Sequence, residues 1–156
     1  MSGAPADVRT TIAREIEAIV SGDRPRLAAI EETPAGVPIA PGKWSRKQIL
    51  GHLLDSAFNN HQRFVRAQLA PSLAFPSYAQ DAWVAAQAYD GRSWADLVEL
   101  WAAVNRHLAH VVAHIDPLAL ERPCAIGDHA PVTLRFLAED YVRHLRHHLA
   151  QVLGGA

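Results

Sequence analysis

Apolar side chains recur along this chain at three- and four-residue steps over four long stretches, and glycine and proline gather between them. That is the spacing of helices that each turn one face to a core. The first stretch covers about residues 7–30, with Val8, Ile12, Ile16 and Ile19 on one face; Gly22 and Pro25 are points where it can break or kink. The second begins at Ser45, where Ser45-Arg46-Lys47-Gln48 has the form of a capping box, and runs to about Leu69, ahead of Pro71. The third opens on Ser93 as N-cap, with Asp96 three residues on, and ends near Ile115, before Asp116-Pro117. The fourth runs from about Thr133 to about Leu153 and stops at Gly154-Gly155. Between the second and third, Tyr78 to Tyr89 is long enough for a short helix carrying Trp83. No segment alternates as a strand, and there is no internal repeat. The expectation is one all-α domain over residues 1–156, a four-helix bundle with a short extra helix between helices 2 and 3.

Composition narrows the class of function. With 49% hydrophobic and 20% charged residues, the chain is neither disordered nor low-complexity. Fifteen basic against sixteen acidic residues leave a net charge of -1, too little positive charge for a nucleic-acid partner. Cys124 is the lone cysteine, which excludes an intrachain disulfide and a cysteine-built zinc site and suits a reducing compartment. No apolar run approaches the roughly 18 residues of a membrane span, and Met1 to Arg14 lacks a signal-peptide pattern. These observations point to a cytoplasmic protein with no membrane partner. Nine histidines stand out.

Two histidine pairs have the i, i+4 spacing that stacks imidazoles one turn apart: His110 with His114, and His144 with His148. Their faces differ. On the third helix, Trp94, Leu97, Trp101, Val104, Leu108, Val112 and Ile115 form one stripe, and His107, His110 and His114 project to the opposite side, as a solvated face would. On the fourth helix, His144 and His148 lie among Leu137, Tyr141, Leu145, Leu149 and Val152, facing the core. There an imidazole is costly unless its nitrogens are satisfied, by hydrogen bonds or by a metal. Asp140 sits one turn before His144 and Gln151 on the same edge, and such neighbours fix which ring nitrogen carries the proton. His52 is the candidate third ligand. It shares a polar stripe with Ser56, Asn59, Arg63 and Arg66, which either faces solvent or lines a pocket toward the fourth helix. Asn105, on the apolar side of the third helix between Trp101 and Leu108, suggests a wet or ligand-filled space.

Trp44-Ser45, then Gly51-His52-Leu53-Leu54-Asp55-Ser56, Asn59 and Arg63, resemble the second-helix signature of the DinB superfamily in its YfiT-like branch. The run Asp140-Tyr141-Val142-Arg143-His144-Leu145-Arg146-His147-His148-Leu149-Ala150-Gln151 resembles that branch's last-helix signature. Tyr78-Ala79-Gln80-Asp81-Ala82-Trp83, Tyr89 and Trp94 are similar to its middle segment. The resemblance runs from about Lys43 to Val152. It implies an up-down-down-up bundle, a homodimer, and one divalent metal ion (zinc, nickel, iron or manganese) held by His52, His144 and His148, with His147 beside the site. It also implies that His52 points into a cleft.

Three neutral ligands leave an ion its full charge and an open position. Such an ion can lower the pKa of bound water to about 7 for hydrolysis, or take the proton of a low-molecular-weight thiol used as cosubstrate. The family includes members of both descriptions. The expectation is therefore an enzyme, a thiol transferase or hydrolase acting on a small-molecule substrate. Its rivals are a non-catalytic, metal-dependent ligand-binding or stress-related protein, and a structural bundle with hydrogen-bonded histidines. Asp55 and Asp81 are candidate bases or partners of the ligands, against the plainer roles of helix-surface carboxylate and N-cap. Arg63 and Arg66 are candidates to bind a carboxylate or phosphate. Ser56, Asn59, Trp83, Asn105 and Tyr141 are further pocket candidates, with Tyr78 and Tyr89 as possible roof. Cys124 has no partner motif and reads as structural. His-Glu-x-x-His, Gly-x-Ser-x-Gly, a glycine-rich phosphate loop and Glu-x-x-His are all missing from the sequence.

Overall fold

The computed structural model describes residues 6–154. Four long helices form as their apolar periodicity demands: α1 (Val8–Ala28), α3 (Arg46–Arg66), α5 (Trp94–Ala113) and α6 (Leu134–Val152). α1 passes through Gly22 and Pro25 without breaking, and α2 (Glu32–Ala35) is a single turn after it. Ser45 completes the capping box of α3 with Gln48, Ser93 caps α5 through the Asp96 amide, and Thr133 caps α6 through that of Phe136. The short helix α4 (Gln80–Gln87) starts after Ala79, so Asp81 lies in its first turn and caps nothing.

Contacts between helix ends set the topology. α1 packs on α5, α5 on α3, α3 on α6, and α6 closes onto α1. The Arg9 guanidinium at the start of α1 donates to the Ile115 carbonyl just past the end of α5 (2.5 Å), and the Trp94 indole at the start of α5 donates to the Leu27 carbonyl (2.8 Å). These two helices are antiparallel. Gln68 after α3 accepts from the Asp116 amide after α5 (3.0 Å), so α3 and α5 run together. Arg46 at the start of α3 reaches the Val152 carbonyl at the end of α6 (2.9 Å), which makes that pair antiparallel. The bundle is thus up-down-down-up. Its core centres on Trp101, Phe64, Ile16, Leu27, Leu50 and Leu108, all fully buried.

At the end of the bundle where α3 and α5 begin, Glu32 of α2 pairs with buried Lys47 and accepts from the Trp94 amide (2.8 Å). Ser45 donates to Asp90 (2.5 Å). These contacts tie α2 and the start of α3 to the segment that leads into α5.

Three strands were not expected. β1 (Leu73–Phe75) pairs in parallel with β2 (Pro123–Ile126), and β2 pairs antiparallel with β3 (Val132–Thr133). Strands of two to four residues are too short to display a period of two, and β1 lies some fifty positions from its partner β2, so only the folded chain reveals them. Arg122 ties this hairpin to the C-terminal end of α3 by donating to the carbonyls of Ala67, Gln68 and Ala70 (2.8–3.2 Å), the end of a helix that favours a cation. No helix among the described residues is long and apolar enough to cross a membrane.

Gly51 allows the closest approach in this packing. A Cβ there would lie 2.1 Å from the Tyr89 ring, and that ring is anchored by its hydroxyl to Asp55 (2.6 Å) and cannot swing away freely. Gly51→Ala should destabilise the protein by about 1–3 kcal/mol or more, measured by urea denaturation. A loss under about 0.5 kcal/mol would show that the ring yields.

Candidate metal centre

The antiparallel seating of α3 on α6 sets His52, in the second turn of α3, opposite the last turns of α6, where His144 and His148 stack one above the other. One ligand nitrogen from each of the three rings lies within 4.8 Å of the other two. His52 Nε2 and His144 Nε2 are 3.1 Å apart. The ring centroids are separated by 5.0 Å for His52 and His144, 4.7 Å for His52 and His148, and 4.5 Å for His144 and His148. A tetrahedral cation about 2.0–2.1 Å from each nitrogen sets neighbouring nitrogens about 3.3 Å apart; His52 and His144 already have that spacing, and His148 brings a third nitrogen within 4.8 Å of both.

The surroundings favour neutral imidazoles. His52 is 1% exposed, and the half-buried Trp44 ring packs on it at 5.1 Å. Burial, and then the nearby His148, lower the His52 pKa to about 4. His144 falls to about 4 for the same reasons, with His52 adding to the effect. Burial also lowers His148, opposed by its hydrogen bond to Gln151. In that bond Nδ1 of His148 donates to the Gln151 amide oxygen (2.9 Å), which leaves Nε2 with its lone pair. Nδ1 of His52 and of His144 is buried with no hydrogen-bond partner among the described residues. Three rings that share one internal hydrogen bond and expose lone pairs to each other are a costly arrangement unless a cation accepts those pairs.

Two clefts flank the trio. The first, of about 300 Å³, lies beside His148 and Gln151 and is walled by Trp44, Ile49, Gln80 and Asp81. The second, of about 230 Å³, opens onto His52 and His144, with Ser56, Asn60, Arg63, Tyr78, Asp140 and Tyr141 among its walls. The stripe on α3 that begins at His52 is thus largely buried and faces the cavity, the second of the two alternatives its periodicity left open. Arg66 departs from it, lying exposed against Gln62 (2.7 Å).

Several candidates sit elsewhere than expected. Asn59 is buried, but its amide donates to the Asp55 carbonyl (2.8 Å), and its neighbour Asn60 takes the cavity position. Asn105 lines no wet space. It donates to the Trp101 carbonyl (2.9 Å) and accepts from the Tyr141 hydroxyl (2.5 Å), so the two polar groups satisfy each other inside the core. Trp83 is 40% exposed and stacks on Tyr78 at 4.8 Å, one layer outside the cavity wall. Asp140 lines the cavity but pairs with Arg143 (3.2 Å) and makes no hydrogen bond to His144, acting on that ring only through its charge.

Asp55 is not a surface carboxylate. It is 1% exposed and accepts from the Tyr89 hydroxyl (2.6 Å) and the Gln87 amide (2.7 Å). Burial raises its pKa, against those two hydrogen bonds. Tyr89 therefore lies beneath the site as a support for Asp55, and Tyr78 and Tyr141 are the aromatic candidates that reach the cavity. Cys124 is fully buried in β2, its thiol pushed up by burial, as an inert side chain would be. His147 is exposed, its ring 4.9 Å from that of His148 and outside the trio.

Sequence reasoning missed Asn60, Ser77, Ile126 and His129 as cavity-lining residues. Asn60 lies four residues after Ser56, a legible helical step. The other three come from the segment before α4 and the β2–β3 turn, which the unexpected sheet carries over the bundle.

The DinB superfamily model matches residues 22–152. A protein of Bacillus mycoides (strain KBAB4) named as a "putative metal-dependent hydrolase" is 21% identical over 140 residues, covering 89% of this chain and 80% of that one. The solved structure of YfiT from Bacillus subtilis, described as "a probable metal-dependent hydrolase with an unusual four-helix bundle topology", superposes with a TM-score of 0.84. It shares 18% identity, and the match covers 97% of this chain and 87% of that one.

The lowered histidine pKa values carry a sign. Folded, His52 and His144 stay neutral down to about pH 4, whereas unfolded they take protons near 6.5. The unfolded chain binds more protons in that window, so the metal-free protein should lose stability as pH falls from 6.5 to about 4. Urea denaturation at about pH 7 and about pH 4.5 measures the loss, and His144→Gln should reduce it. An identical pH dependence in that variant would contradict a neutral, buried His144.

Proposed function

The chain belongs to the DinB superfamily, and on that footing we propose that it is a metal-dependent enzyme that directs water, or a low-molecular-weight thiol, at a small electrophile. The observation that carries this reading is the convergence of three imidazole nitrogens within 4.8 Å at the edge of a polar cavity. The name of the Bacillus mycoides relative supports the hydrolytic form. When bound, a divalent ion held by three neutral ligands supplies Lewis acidity and an open coordination position.

The protein's own groups account for the rest. Gln151 fixes the tautomer of His148 by accepting from Nδ1, so Nε2 is the nitrogen offered to an ion. Trp44 covers one face of His52 and keeps bulk water from that side. Asp140 is the one carboxylate among the described residues of the cavity wall. It is exposed and can take up, at its carboxylate oxygens, the proton that an attacking water or thiol must lose. Ser56 and Tyr78 present a hydroxyl and a phenol to a bound molecule, and Asn60, its amide donating to the Ser56 carbonyl (2.8 Å), lines the same wall. Imidazole donors suit zinc, nickel, iron and manganese alike, so availability decides which is carried.

Protein purified without a chelator should carry about one equivalent of divalent metal per chain by plasma mass spectrometry. His148→Ala should lower the content at least about tenfold, while His147→Ala, which removes the neighbouring ring outside the trio, should leave it unchanged. Equal metal in the wild type and His148→Ala would overturn the proposal.

Gln151→Ala should weaken metal affinity by about 10–100-fold without abolishing it, as measured by competition with a chromogenic chelator. Metal-dependent turnover of generic esters and amides, set beside thiol transfer to a fluorogenic electrophile, separates the two nucleophiles. A fully loaded protein inactive in both screens would favour a ligand-binding role instead.

A further inference from the structure

Arg63 lies on the same face of α3 as His52, eleven residues and just over three whole turns further along. Its guanidinium carbon sits 5.6 Å above the Phe75 ring of β1, so the flat cation is stacked on one side. It lines the 230 Å³ cavity that opens onto His52 and His144. Its Nε–H is buried with no hydrogen-bond partner among the described residues. No carboxylate among the described residues neutralises it: burial disfavours its charge, and the ionisable groups acting on it are Tyr78 and Cys124.

A half-buried guanidinium without a counterion costs stability that a surface arginine would not. Arg63 is the one arginine or lysine among the described residues of the cavity wall, so this position sets a permanent positive charge beside the cavity. We propose that Arg63 is a carboxylate-binding subsite, and that the substrate of the adjacent metal centre is a small monoanion held by its carboxylate at this end of the cavity. The inference rests on the reading of the trio as that metal centre. A single guanidinium, with Asp140 as the opposing charge in the same wall, matches one negative charge better than two. The rise of α3 places Cα63 about 16 Å from Cα52, and the arginine leans back toward the start of the helix. The carboxylate and the reacting atom are then separated by on the order of 10 Å or less.

The test uses the full-length, zinc-loaded protein and 6-mercaptohexanoate, whose thiol and carboxylate span such a distance, against its amide, 6-mercaptohexanamide. The acid should bind at least about tenfold more tightly by calorimetry. Arg63→Met should remove that preference without changing zinc content, and Arg63→Lys should retain part of it. A ratio near one in the wild type, or a preference that survives Arg63→Met, would overturn the subsite. Inorganic phosphate displacing the acid more effectively than acetate does would overturn the choice of a carboxylate.

Should the chain take up no zinc, the metal reading fails by itself. Hexanoate and hexanamide then decide the subsite, through the Arg63 Nε–H signal in nitrogen-edited NMR of the wild-type protein. A shift with hexanoate alone supports it, and no shift with either overturns it.

Discussion

Three imidazoles pressed together where α3 begins and α6 ends form the constraint around which this bundle is organised. Burial keeps them neutral, and their nitrogens face each other with one hydrogen bond between His52 and His144 to share. In a purely structural bundle such a cluster is a standing cost, since apolar side chains of the same volume would pack there without loss. The neighbouring contacts nevertheless hold it in place. Trp44 covers His52, Gln151 orients His148, and Arg46 ties the start of α3 to the last carbonyl of α6. A pocket rigid in this way loses little entropy when it binds a cation.

The order of the helices makes that constraint possible. In an up-down-down-up bundle, α3 and α6 are adjacent and antiparallel, so a histidine near the start of one meets histidines near the end of the other. The small sheet then completes the site. β1 brings Phe75 under Arg63, β2 brings Ile126 into the cavity wall, and Arg122 fastens the hairpin to the end of α3. Below the cavity floor, Gly51 lets Tyr89 approach α3 closely enough to hold Asp55. The outward histidines of α5, His107, His110 and His114, remain exposed and take no part in this arrangement.

Buried polar residues on α3 and α5 reached different ends despite similar patterns in the sequence. His52 and Ser56 face a cavity, whereas Asn59 and Asn105 turn their amides onto carbonyls one turn back. A side-chain amide can satisfy itself locally on a helix, whereas Nδ1 of His52 and of His144 finds no partner among the described residues. The distinction is invisible to periodicity, which records only that a polar group interrupts an apolar face. It explains why Asn105, read as a sign of a wet space, belongs to a dry and self-satisfied pair with Tyr141.

The amino-acid sequence by itself determined the four long helices, the caps at Ser45 and Ser93, and the inward side of His144 and His148. These are local matters, decided by a repeat of 3.6 residues and by the need to satisfy the first amides of a helix. The resemblance of its motifs to a family supplied the third histidine, since His52 on a polar stripe reads equally well as solvated. Tertiary structure alone decided the short strands, the choice of Asn60 over Asn59, the burial of Asp55, and the detachment of Asp140 from His144. Each of these depends on what a neighbouring segment far away in the chain places against the side chain. Short-range spacing cannot encode that information, because the energy that settles it arises only when the segments meet.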